Sequence, residues 1–344
     1  MAGYFKWGLI VIAAVWAALI GSMLGYAWNI IHMPQKLPSM EMPQIQNINI
    51  SIETQEKMEG YWTVAVFGVD SRDGALGKDT RSDMQMILNI NLGTGEIRMV
   101  SVYRDTYLKI DKKGRYDKIN QAYFKGGPKQ AIEALTENLD LNIDDYASFS
   151  WKAVADAINL LGGIDVDISP EEFRVINGFI TETVESTGVG SHHLKKAGLN
   201  HLDGVQAVAY ARLRKMDTDF KRTERQREVA DLVLKKAREA DFATLNQLVT
   251  TVLPQISTSI GMKDVFPLIK NVKRFHLTKT EGFPSKLDDA LIDKRDCVIP
   301  VTLEENVKQL HLFLFDQEDY EPSEPVKEIS RQIQIKSKGK AVRK

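Results

Sequence analysis

The sequence predicts an α/β fold, a single mixed β-sheet flanked by helices, preceded by one N-terminal transmembrane helix. Three observations carry this. Apolar strand-like runs alternate with segments of helical periodicity. The early runs are joined by short Gly-containing turns, so hairpins make the sheet mixed. Residues 7–31 contain no Asp, Glu, Lys or Arg, and about 20 apolar residues suffice to cross the hydrocarbon core as a helix.

That first run carries Trp7, Tyr26 and Trp28 near its ends, as interfacial aromatics do. It exceeds the roughly 7–15 residues of a cleavable signal's apolar core and lacks a small-residue cleavage site after it. An uncleaved signal anchor is expected over residues 1–32, leaning toward a cytoplasmic N-terminus. Residues 33–57 hold Pro34, Pro38 and Pro43 among polar residues and read as an extracellular linker. The domain proper is expected over 58–320. A strand over 61–69 ends at Gly68 and Asp70. Residues 84–92 and 96–102 form a hairpin around Gly93-Thr94-Gly95, and 107–110 and 116–119 flank a second turn. Pro128 suits the first turn of a helix. Residues 151–161 are helical up to Gly162-Gly163, with a strand at 164–168 beyond. Residues 169–200 read as a long irregular excursion. Asp203 caps a helix through Ala211, and Thr223-Glu224-Arg225-Gln226 fits a capping box for a helix to about 240. Helical patterns follow at 245–256 and 263–272, then a short strand at Cys297 and a helix over 303–315. Residues 321–344 end in lysines and read as a flexible basic tail.

With 344 residues and a net charge of -1, the chain is not a general nucleic-acid binder. The single cysteine, Cys297, excludes an internal disulfide and reads as a small core hydrophobe in an apolar strand. His192-His193 reads as solvated. No Walker phosphate loop or Gly-x-Ser-x-Gly elbow occurs, which disfavours nucleotide hydrolases and serine esterases, and no His-Glu-x-x-His pattern appears.

Five short polar clusters stand out. They are Gly68-Val69-Asp70-Ser71-Arg72, Arg81-Ser82-Asp83, Arg104-Asp105-Thr106, Lys118-Ile119-Asn120, and Tyr210-Ala211-Arg212-Leu213-Arg214 running on to Arg222-Thr223-Glu224-Arg225-Gln226. Several lie at strand ends, where α/β ligand sites form. Guanidinium forks match phosphate oxygens, and carboxylates hold a hard cation, so the set reads as a phosphate or pyrophosphate clamp. Arg212 and Arg214 lie about 200° apart on a helix, so the helix must loosen there if both serve one ligand. Arg222, Arg225 and Gln226 share a helical face.

At these residues the chain resembles the LytR-CpsA-Psr family of cell-envelope phosphotransferases. The resemblance rests on Gly-Val-Asp-Ser-Arg, Arg-Ser-Asp, Ser-x-x-Arg-Asp-Thr, Lys-Ile-Asn-x-Ala-Tyr, Gly-Gly-Ile-Asp-Val, His-Leu-Asp-Gly, Tyr-Ala-Arg-x-Arg and Arg-Thr-Glu-Arg-Gln, in that order. Tyr103 departs from it, standing where the family usually has proline. The resemblance implies transfer of a glycopolymer, such as teichoic acid or capsule, from a polyprenyl-pyrophosphate carrier to a peptidoglycan hydroxyl at the outer face of the cell membrane. It implies Mg2+ (or Mn2+) on Asp70 and Asp83. Pyrophosphate falls to Arg81, Arg104, Lys118, Arg212, Arg214, Arg222 and Gln226, and catalysis to Asp83, Arg104 and Arg222. For the general base, Asp83, Asp105, Asp217 and Asp219 stay open. Competing readings are a polyprenyl-pyrophosphate hydrolase and a membrane-anchored binder without turnover.

Overall fold

The computed structural model describes residues 47–70, 75–214, 219–261 and 268–338. The expected membrane segment lies outside them, and no helix among the described residues is long and apolar enough to cross a membrane. The first helix, α1 (Ile52–Met58), starts at Ser51, whose side chain accepts from the Thr54 N–H. Strands β1 (Tyr61–Asp70), β2 (Arg81–Asn91) and β3 (Glu96–Val102) follow as an antiparallel meander. Strand β6 (Asp145–Ser150) runs parallel to β1 on its other side. β9 (Ile256–Thr258) and β10 (His276–Phe283) close the edges of a mixed six-stranded sheet ordered β10-β3-β2-β1-β6-β9.

Both sheet faces are covered, which is why β1 and β2 read as nearly continuous apolar runs. On one face, Phe67 meets Tyr123 of α2 (Asn120–Leu139) with ring centroids 5.1 Å apart. On the other, Met84, Met86 and Met99 join a core with α3 (Trp151–Leu160), α4 (Pro170–Thr187), α5 (Gly204–Arg212) and Val229 of α6 (Asp219–Glu239). Gly204 is dictated by the α5–α3 approach, because a Cβ there would stand 1.9 Å from the Ala155 carbonyl oxygen. The antiparallel pair of β7 (Ile164–Ile168) and β8 (Gly198–Leu202), which flank α4 in sequence, is stapled by His201. Its Nδ1 lies 2.7 Å from Asp165 and its Nε2 2.8 Å from the Gly162 carbonyl. Two of the sequence motifs therefore meet in a structural contact.

Smaller pieces complete the domain. They are the hairpins β4 (Tyr107–Lys109)–β5 (Tyr116–Lys118) and β11 (Leu287–Ile292)–β12 (Arg295–Pro300), and helices α7 (Phe242–Val252), α8 (Leu303–Phe315) and α9 (Glu324–Ser337).

Three expectations are corrected. Residues 169–200 are not an irregular excursion throughout. Ser169 and Glu172 form a reciprocal capping box with Pro170 in the first turn, and α4 results. The stretch read as a flexible tail contains α9, which buries Val326, Ile329 and Ile333 at helical spacing. The end of the expected linker is also folded in. The Asn47 amide donates to the buried Asp140 carboxylate at 3.1 Å, and the Ser323 hydroxyl reaches the same group at 2.7 Å. One carboxylate thus joins the two ends of the domain.

His311 of α8 sits beside this network, fully buried and stacked on Tyr320 with ring centroids 3.6 Å apart. Burial lowers its pKa to about 4, so the folded chain keeps it neutral while the unfolded chain protonates below about 6.5. Its contribution is fully present above that pH and is lost as pH falls toward 4, on the order of 3 kcal/mol. Urea unfolding at pH 7 and pH 5 is expected to show less loss of stability in His311→Phe than in the parent chain. Equal losses would remove His311 as the cause.

Candidate active site

β1 and β3 end, and β2 begins, at one edge of the sheet. Gly68 pairs with Met84 while Val69 pairs with Ser82, which leaves Asp83 as the extra residue of a β-bulge. A bulge bends its strand and re-aims a side chain. Asp83 lines a pocket with Asp70, Trp151, Phe179, Glu182, Arg212, Arg214, Arg222 and Gln226. Arg104, just past β3, donates Nη1 to Asp83 Oδ1 at 2.7 Å. Its Nε lies 3.8 Å from Asp105, which also meets Lys118 Nζ at 3.2 Å. Arg104 and Lys118 therefore join the site through carboxylates. Arg81, opposite Asp70 in the register, is exposed and outside the pocket lining.

The helical side is built as its spacing requires. α5 ends at Arg212, and Leu213 turns extended (φ -53, ψ 129), so both Arg212 and Arg214 reach the pocket. Arg212 Nη1 is steadied by Thr183 Oγ1 at 2.9 Å. α6 begins at Asp219 rather than at Thr223, so the capping-box pattern falls inside the helix, where Thr223 is buried. Arg222 and Gln226, one turn apart, both line the pocket. Arg225 turns away. Its Nε donates to Glu172 at 2.7 Å and its Nη1 to the Leu213 carbonyl at 3.1 Å. Among the general-base candidates, Asp83 and Asp105 are paired as described, while Asp217 and the Asp219 side chain lie outside the described parts of the chain.

Trp151, Phe179 and Glu182 were not anticipated. Trp151 begins α3 directly after β6, a strand diluted by Ser148 and Ser150, both buried. Phe179 and Glu182 ride on α4, which the Ser-Pro-Glu-Glu start at 169–172 signals. Tyr103, the departure from the family pattern, fits because Gly282 leaves room. A Cβ at Gly282 would lie 1.9 Å from the Tyr103 hydroxyl, and the Tyr103 ring packs edge-on against Phe220 at 4.6 Å. Cys297 is buried, which pushes its thiol pKa up and removes it as a nucleophile.

The nine lining residues include three guanidiniums and three carboxylates. That balance suits a phosphate arriving with a cation better than a bare anion, since the carboxylates alone would repel it. Among the described residues no group of three or more His, Cys, Asp or Glu is placed to hold a metal ion. Two carboxylates supplemented by substrate phosphates are enough for Mg2+, and Asp70 and Asp83 both line the pocket. Behind the polar pocket lies an apolar cavity of about 400 Å³, lined by Met84, Met86, Phe149, Val208 and Val233 among others. Trp151 and Gln226 line both spaces.

The α/β domain thus sets an arginine- and carboxylate-lined pocket beside an apolar cavity, the pairing of surfaces that an amphiphilic anion would need. The chain belongs to the LytR_cpsA_psr family, whose profile matches residues 31–297. It is 29% identical over 270 residues to the polyisoprenyl-teichoic acid–peptidoglycan teichoic acid transferase TagU of Bacillus cereus, covering 77% of this chain and 80% of that protein. The polyisoprenyl-teichoic acid–peptidoglycan teichoic acid transferase TagT of Bacillus subtilis is 26% identical, covering 81% of this chain and 86% of that protein. The fold matches the structure of YwtF (TagT) with bound octaprenyl pyrophosphate lipid, with a TM-score of 0.56 and 22% identity over 81% of this chain and 98% of that one.

Proposed function

We propose that this chain transfers a cell-wall glycopolymer from a polyprenyl-pyrophosphate carrier to a peptidoglycan hydroxyl, forming a phosphodiester. One observation carries the reading: Trp151 and Gln226 belong at once to the charged pocket and to the apolar cavity. A pyrophosphate headgroup and a prenyl tail require that adjacency. The transferase names of the relatives and the lipid pyrophosphate bound by a structural neighbour support the same class of substrate.

The acceptor hydroxyl oxygen attacks the phosphorus bearing the glycan. A new P–O bond forms, the P–O bond to the bridging oxygen breaks, and polyprenyl phosphate leaves with the electron pair. The hydroxyl proton passes to a carboxylate at the pocket. Arg212, Arg214 and Arg222 orient the phosphates, and Arg104 holds Asp83 in place. Such chemistry is mostly positioning and charge stabilisation. Asp70 and Asp83 would hold Mg2+ (or Mn2+), which would supply neutralisation of the phosphate charge. The domain acts outside the cell membrane, anchored by residues 1–32.

The test is incubation of the chain with a glycan-bearing lipid pyrophosphate, with and without peptidoglycan fragments. Turnover that requires the acceptor is expected. Turnover without it means a hydrolase, and binding without turnover means a regulator. Asp83→Ala is expected to lower both turnover and affinity for Mg2+ in the presence of substrate. Unchanged Mg2+ dependence in a folded variant would remove Asp83 from the metal.

A further inference from the structure

The opposite end of the sheet carries a second cavity, of about 790 Å³, lined by Phe242, Leu245 and Val272 with Lys270, Lys273 and Asp241 among the rest. Its lining starts about one helical turn beyond that of the inner one. Ala237 and Leu248 line the inner cavity, while Ala240 and Leu245 line the outer, and three residues along a helix rise only about 4.5 Å. Its place in the fold is set by the turn over Val272–Arg274, where Arg274 donates to the Leu92 carbonyl at 3.0 Å in the β2–β3 connection. The 11 residues of β2 separate this end from the arginine pocket by about 35 Å.

Large apolar side chains are exposed at this end. Phe242 is 69% exposed and Leu92 51%, and Ile48 (86%) and Ile52 (75%) precede β1. Lys270, Lys273 and Arg274 are exposed beside Phe242 and Leu92. Asp241 is engaged in capping α7 through the Thr244 N–H at 2.7 Å. Phe242 and Leu92, flanked by two lysines and an arginine, match an anionic lipid surface.

We propose that this end of the domain rests on an anionic bilayer, and that the outer cavity is the port through which the carrier's tail passes between bilayer and inner cavity. The port rests on the carrier named under the proposed function; the surface does not. This arrangement keeps the tail in lipid while the headgroup is held above it.

The full chain is reconstituted in vesicles of zwitterionic lipid, with and without anionic phospholipid. Because Cys297 is buried, an environment-sensitive fluorophore labels Phe242→Cys selectively. Leu291→Cys, exposed on the β11–β12 hairpin near Asp105, serves as control. A blue-shifted emission, quenched by acyl-chain nitroxides, is expected at 242 with anionic lipid and not at 291. Lys270→Gln and Lys273→Gln should each weaken the contact about fivefold. A water-exposed label at 242 in both vesicles overturns the surface. This readout needs neither carrier nor turnover, so it stands or falls apart from the transfer reaction. For the port, Leu245→Trp is expected to slow turnover of a long-chain carrier and spare a short-chain one. Equal loss on both overturns the port.

Discussion

Arg104→Lys is expected to slow glycopolymer transfer by about 10²–10³-fold, as much as losing one preorganised charge contact to a transition state, because Asp83 loses its aim, while the fold stays intact. Arg104 presents a planar fork at the sheet edge, with Nη1 2.7 Å from Asp83 and Nε 3.8 Å from Asp105. An ammonium keeps the charge but cannot span both carboxylates in fixed directions. Asp83 is the extra residue of a bulge and so depends on that partner for its aim. Turnover with the lipid pyrophosphate and an unfolding curve would be measured on the same preparation. A folded variant with the parent rate would make Arg104 an ordinary surface ion pair, worth little.

Arg225→Ala is expected to cost about 3–5 kcal/mol of stability, because it strands a buried carboxylate. Arg222→Ala, one turn earlier on the same helix, is expected to weaken lipid pyrophosphate binding instead. Glu172 accepts the Arg225 Nε–H at 2.7 Å and, through its other oxygen, the Ser169 N–H at 2.9 Å. Losing Arg225 therefore also loosens the start of α4, the helix that carries Phe179 and Glu182 to the pocket. Urea unfolding of Arg225→Ala and titration of Arg222→Ala with a short-chain lipid pyrophosphate separate the two roles. A loss of stability below about 1 kcal/mol in Arg225→Ala, the scale of an exposed pair, would contradict the buried role.

Much of this protein was legible without coordinates because its signals are local. The meander β1–β3 follows from apolar runs broken by a Gly-Thr-Gly turn. α8 follows from a 3.6-residue pattern behind Thr302, whose side chain caps it through the Glu305 N–H. The break in helix α5 follows from requiring two arginines, two apart, to face one ligand. Strands whose buried positions are Ser148 and Ser150, or whose edge is charged as at Lys279, carry no such pattern. β6 and β10 were missed for that reason, since their stability comes from pairing with β1 and β3.

The residue types, order and spacing of the clusters therefore determined a phosphate-directed α/β domain, because charge and periodicity are properties of neighbours along the chain. Only the tertiary structure decided that Arg222 and Gln226 enter the pocket while Arg225 is buried on Glu172, although all three share one helical face. It alone decided that Arg81 stands outside the pocket lining and that Glu182 stands within it. It also set an apolar cavity behind Trp151. Side chains from β2, α3, α5, α6 and α7 enclose that space, and such a void is set by how distant elements pack, which no single stretch of sequence encodes.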